Sequence, residues 1–127
     1  MNDLPPYAQL LRLRIEEHQD GCRFVMPFDD DVAGYPGLLH GGAIAGLLEF
    51  AAFTSLSRAI GDPAVKMKPV TVTVDYLRAG TDRDTFATAE VQRLGGRIAN
   101  VEATAWQEAH SSPIASARLN FLLDRPA

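Results

Sequence analysis

Hydrophobic and polar positions divide the chain into one long apolar segment flanked by alternating ones. Leu13 and Ile15 alternate with Arg12, Arg14 and Glu16, and Cys22, Phe24, Met26 and Phe28 alternate with Arg23 and Val25. A period of two predicts two half-buried strands. Asp20-Gly21 between them is a hairpin turn, and Pro27 sets the second strand at an edge or near its end. Residues 5–11 predict a short helix, with proline tolerated in its first turn. Asp29-Asp30-Asp31 opens a loop running to about Leu39. It lacks the ligand spacing of a calcium loop and is expected to be an exposed acidic turn.

From Ala43 to Ile60 only Glu49 and Arg58 carry charge. Such a segment predicts a helix apolar on nearly every side, enclosed by protein. Gly61-Asp62-Pro63 stops it. Val70, Val72, Val74 and Tyr76 then alternate with Thr71, Thr73, Asp75 and Leu77, and residues 84–94, 97–108 and 114–123 continue the strand signal. Gly95-Gly96 predicts a tight hairpin. Three consecutive long strands with short connections imply an antiparallel meander. Ala87, Ala89, Ala99, Ala103, Ala105, Ala115 and Ala117 recur on strand faces, while the helix carries Ala43, Ala45, Gly46, Ala51 and Ala52. Small residues on both partners permit close approach. The expected architecture is α+β, an antiparallel sheet curled around one central helix.

Composition narrows the picture. The 127 residues make one domain, 1–127, and 46% hydrophobic with 22% charged residues is ordinary for a globular chain. No long stretch free of charge predicts a membrane span, and the N-terminus lacks the basic start and apolar core of a secretory signal. The single cysteine, Cys22, fits a reducing cytoplasm. A net charge of −4 gives no electrostatic reason to expect nucleic acid or anionic membrane as a partner. Cys22 is read as a small buried hydrophobe, and no cluster of His and Cys has metal-ligand spacing.

Two features carry candidate chemistry. On a helix, the neighbours of Glu49 three and four residues away are Ala45, Gly46, Ala52 and Phe53, none able to pair with a carboxylate. Either Glu49 is buried with a raised pKa, or it points to solvent or a subunit interface. His40-Gly41-Gly42 is the second feature. Two glycines opening a helix leave backbone N–H groups accessible, and with the positive end of the helix dipole they suit a developing oxyanion. Taken alone, the tripeptide fits a glycine-rich turn better, with His40 an ordinary capping or core residue.

The run His40-Gly41-Gly42-Ala43-Ile44-Ala45-Gly46-Leu47-Leu48-Glu49 resembles the signature of hotdog-fold acyl-CoA thioesterases, of the phenylacetate-degradation and 4-hydroxybenzoyl-CoA thioesterase type. Thr71 to Arg78 is similar to that family's next strand, and Gly95-Gly96-Arg97 resembles its following hairpin. The likeness spans roughly residues 8–123. It implies a hotdog fold and hydrolysis of an acyl-CoA to a free acid and coenzyme A, without a metal or other cofactor. It further implies Gly41 as oxyanion donor, with Gly42 beside it, Glu49 as nucleophile or general base, and His40 positioning the thioester. Arg78 and Arg97 are candidates for the coenzyme A phosphates. Phe53 and Tyr35, with Phe24, Phe50 and Tyr76, are candidates for the acyl pocket.

Two positions depart from the family pattern. Gly34 stands six residues before His40, where many relatives carry Asn or Gln, and Phe53 stands four after Glu49, where several carry Ser or Thr. A non-catalytic acyl-CoA binding module is therefore the alternative to an enzyme. A hydratase ranks third, since its motif is not recognisable. Spacing adds a further expectation. Gly41 and Glu49 lie eight residues apart, about 12 Å along a helix, whereas reacting atoms must come within roughly 3 Å. A twofold homodimer with antiparallel helices would bring Gly41 of one chain to Glu49 of the other, in two composite sites. A tetramer would double this unit.

Overall fold

The computed structural model describes residues 4–126. Of the expected domain 1–127, Met1, Asn2, Asp3 and Ala127 lie outside the described residues. The chain runs α1 (Pro6–Leu10), β1 (Arg14–His18), β2 (Gly21–Met26), α2 (Gly41–Ile60), β3 (Lys66–Tyr76), β4 (Thr85–Leu94), β5 (Ile98–Trp106) and β6 (Ala115–Asp124). One six-stranded antiparallel sheet has the order β1-β2-β4-β5-β6-β3. The β4-β5-β6 meander forms as its turn signals predict. β3, in contrast, pairs with β6 at the far edge, with Tyr76 opposite Ala115 and Met67 opposite Leu123. It is also longer than its alternation suggested, because Lys66 to Pro69 pair as well before the register slips between Pro69 and Thr71.

Alternation along the meander explains how α2 is enclosed. Ala99, Val101, Ala103 and Ala105 of β5 and Ala115, Ala117, Leu119 and Phe121 of β6 are all buried. Their small side chains let the sheet close on Ala51, Ala52, Leu47, Leu48 and Leu56 of α2. By length and composition α2, with 20 residues and a mean hydropathy of 1.4, is apolar enough to cross a membrane. Here the sheet buries Ala43, Ile44, Leu47, Leu48, Ala51, Ala52 and Leu56 of that surface. Gly61 closes the helix in the left-handed region at φ 70°, its N–H donating to the Ser57 carbonyl.

The enclosure is incomplete. Gly46, Glu49, Phe50 and Phe53, at helical spacing i, i+3, i+4 and i+7, lie on a stripe of α2 that the sheet leaves uncovered. α1 lies over part of this stripe. It ends in a Schellman motif: Leu13 N–H donates to the Ala8 carbonyl and Arg12 N–H to Gln9, with Arg12 left-handed at φ 55°. Ala8 and Leu13, the positions that pack together in such a cap, are both buried in the core. Arg12 pairs with Asp29 and Asp31, which ties the acidic turn to the end of α1. Cys22 packs against the core, and burial raises its thiol pKa, as expected of a small inert hydrophobe.

Candidate active site

Three separate segments hold the start of α2. The His40 N–H donates to the Val32 carbonyl at 2.8 Å, and the Leu39 N–H donates to the Gly80 carbonyl at 2.9 Å. The Tyr76 hydroxyl, from the end of β3, donates to the Gly41 carbonyl at 2.8 Å. The Gly80 loop is fixed in turn by buried Gln107, whose side chain bonds the backbone of Thr81 and Arg83 and the Thr85 hydroxyl. None of these anchors is local in sequence, so the helix start is held by tertiary structure.

Within this frame, His40 is the N-cap. Its Nδ1 accepts the Gly42 N–H at 2.8 Å. An accepting Nδ1 leaves the ring proton of the neutral imidazole on Nε2. Gly42 is needed for this fold-back, because a Cβ there would meet the His40 ring at 2.9 Å. The Gly42 N–H is thereby occupied, and the expectation of a free donor at Gly42 does not hold. The Ala43 and Ile44 N–H groups donate to the His40 carbonyl. Among the described residues, the Gly41 N–H is the amide of this first turn left without a partner. It sits at the positive end of a 20-residue helix dipole. Ile44, Tyr76, Leu77 and Arg78 surround it in an open cleft of about 400 Å³.

Glu49 lies two turns along α2 and is exposed, on the stripe left open by the sheet. Of the two readings of Glu49, the exposed one holds for the single chain. It borders an apolar groove of about 380 Å³ between α1, α2 and β3, where Phe50 and Phe53 also lie. Phe53 packs on Phe121 at 6.4 Å. The structure thus separates the sequence-predicted residues into two groups on one chain. Gly41 and Arg78 share the cleft at the helix start, with His40 next to Gly41 as the cap, and Glu49 and Phe53 share the groove.

Two candidates fall elsewhere. Tyr35 is 77% exposed at the tip of the loop before α2 and borders neither cavity. Arg97 lies in the β4–β5 turn, its carbonyl accepting from Leu123 beside the start of β3. Nine strand residues, roughly 30 Å, separate that end of β3 from Tyr76 and Gly41. Gly34 packs against the His40 backbone, where a Cβ would stand 3.3 Å from the His40 Cα. Tyr76, a candidate for the acyl pocket, braces Gly41 through its hydroxyl. Sequence reasoning missed Tyr7, whose ring occupies the space left by Gly46. A Cβ at residue 46 would lie 2.6 Å from it.

Residues 31–122 match the family described as the acyl-CoA thioesterase N-terminal domain. No curated protein matches the sequence. Among solved structures, a Chromobacterium violaceum protein is similar at 35% identity, covering 98% of this chain and 88% of that one, with a TM-score of 0.78. A Bacillus halodurans protein solved with CoA aligns at 20% identity over 100% of this chain and 83% of its own, with a TM-score of 0.88. A phenylacetic acid degradation-related protein from Ralstonia eutropha aligns at 17% identity over 95% and 92%, with a TM-score of 0.83. These likenesses agree with the six-stranded sheet around one long helix, which is the hotdog fold. The chain belongs to the acyl-CoA thioesterase family, whose chemistry is the hydrolysis of thioesters.

Proposed function

We propose that this protein hydrolyses an acyl-CoA at composite sites formed by two copies of the chain. The unpaired Gly41 N–H at the head of α2 is the observation that carries this reading. It offers a preorganised donor to the thioester carbonyl oxygen, backed by the helix dipole, as negative charge builds there. His40, held beside Gly41 by its cap bond, positions the thioester.

Glu49 of the partner chain supplies the attack. Its carboxylate either adds to the carbonyl carbon or takes a proton from the water that does. When the carboxylate attacks, the tetrahedral intermediate expels the coenzyme A sulfur and leaves a mixed anhydride on Glu49, which water then hydrolyses to the free acid and the restored carboxylate. When water attacks, loss of the C–S bond gives the free acid directly. In both routes the departing thiolate takes up a proton. Two copies are required because one helix keeps Gly41 and Glu49 about 12 Å apart. Antiparallel α2 helices would also bring Arg97 of one chain to the end where Arg78 of the other lies, where both could meet coenzyme A phosphates.

A thiol-release assay over acyl-CoA substrates tests the reading. Glu49→Gln is expected to lower kcat by about 10²–10⁴-fold with an unchanged thermal transition. Unchanged turnover in that variant would overturn it. Gly34, with no side chain over His40, favours a second reading, binding without hydrolysis. Calorimetric affinity for acyl-CoA with a silent thiol-release assay would establish that instead.

A further inference from the structure

We infer that the groove along the open stripe of α2 is the acyl pocket, that α1 is its outer wall, and that Tyr7 sets the length of the apolar acyl group it takes. This rests on the thioesterase reading above and names its substrate class. Among the described residues, Glu49 is the one charged residue bordering the groove; Tyr7, Leu11, Leu13, Phe50, Phe53 and Pro69 make up most of the remainder. No cation or side-chain amide among the described residues lines it. A carboxylate or other strongly polar acyl terminus would lose its water there without a partner, whereas an alkyl or aryl group would lose only unfavourable hydration. At about 380 Å³ the groove is near the small end of ligand pockets. It also adjoins Glu49, so an acyl group whose carbonyl is attacked by that carboxylate would extend directly into it.

The position of the wall is set by Gly46. Its missing Cβ admits the Tyr7 ring and the Leu11 methyls, which would stand 2.6 and 3.1 Å from any Cβ there. Ala8 and Leu11 are buried against the core and hold α1 down, while Tyr7 remains half exposed at the groove. Tyr7 is therefore a specificity-determining residue that replacement should not unfold.

The test measures kcat/KM over straight-chain acyl-CoAs from acetyl to dodecanoyl, with succinyl-CoA as the polar control. Binding of non-hydrolysable S-alkyl-CoA thioethers of the same lengths is followed by calorimetry. The native protein is expected to improve about 3–4-fold per added methylene until the groove is full, then decline, with succinyl-CoA poor throughout. Tyr7→Ala should move the optimum to longer chains and Tyr7→Trp to shorter ones, through KM with kcat nearly constant. A profile that neither variant shifts, a preference for acetyl or succinyl groups, or no binding of any thioether would overturn the inference. Length-dependent binding that Tyr7 shifts, without turnover, would support it while removing the hydrolytic reading. Brisk hydrolysis with a flat length profile would do the reverse.

Discussion

At Gly42 two opposing effects separate stability from activity. Gly42→Ala forces the His40 ring away and removes the cap bond, which costs about 0.5–2 kcal/mol. Alanine in place of glycine returns about 1 kcal/mol of helix propensity. The urea midpoint should therefore move little, while kcat falls at least about tenfold because the His40 ring loses its orientation. Tyr76→Phe acts from the other side. It removes the hydroxyl that grips the Gly41 carbonyl, a loss of about 0.5–1.5 kcal/mol in stability, and is expected to lower kcat with KM held. Denaturation and steady-state kinetics on the two variants check both statements. The His-Gly-Gly motif was legible because capping, glycine and dipole are local matters. The role of Tyr76 was not, because alternation in a strand says which face a side chain takes and nothing about a hydroxyl bond to a segment 35 residues away.

Among the elements, α2 and the β4-β5-β6 meander were legible for the same reason, since turns and caps are written in adjacent residues. The place of β3 was not: its partner, β6, comes after two intervening strands. Gly46 shows a subtler failure. Its small size predicts room for the sheet, whereas the element it admits is α1. β1 carries a testable acid limb. A hydrogen bond from Arg23 lowers the pKa of Glu16, and one from Arg58 lowers that of Glu17, below the ordinary value of 4.5. A carboxylate with a lowered folded pKa stabilises the fold above its unfolded value and loses that contribution as pH falls through the folded one. Both groups are exposed, so salt should weaken the effect. Urea titrations between neutral and acid pH should show stability declining below about pH 4.5, with a flatter decline in the Glu16→Gln, Glu17→Gln double variant and in high salt.

For the whole molecule, the open edge of β3 matters most. Val70, Val72 and Tyr76 leave apolar surface exposed along an 11-residue edge strand, and Leu77 just beyond it adds to that surface. Such an edge is a template for pairing with another chain. Val72→Lys is expected to shift the protein toward monomer in analytical ultracentrifugation and to abolish turnover with it. Mixing subunits gives a stricter check of composite sites. Glu49→Gln and His40→Ala homodimers should each be inactive. Their heterodimer would have one site with both groups intact, so a refolded mixture should recover roughly a quarter of the native activity. A mixture as inactive as its parents would contradict the shared site.

The sheet order also sets a sequence of assembly. Met26 of β2 pairs with Thr85 of β4, and everything between them, including α2, is made before that pairing can exist. During synthesis α2 therefore emerges as a bare apolar rod, with only α1 and the β1–β2 hairpin to shelter it. Its cover arrives last, as β4, β5 and β6 are added. Pairing across so long a gap is slow compared with helix formation, and the interval is one of exposure to other chains. A chain cut after residue 97 would keep the rod and lose the two strands rich in alanine that cover it, and is expected in the insoluble fraction. The alanines that let the sheet close so tightly on the helix are thus also what ends its vulnerability to aggregation.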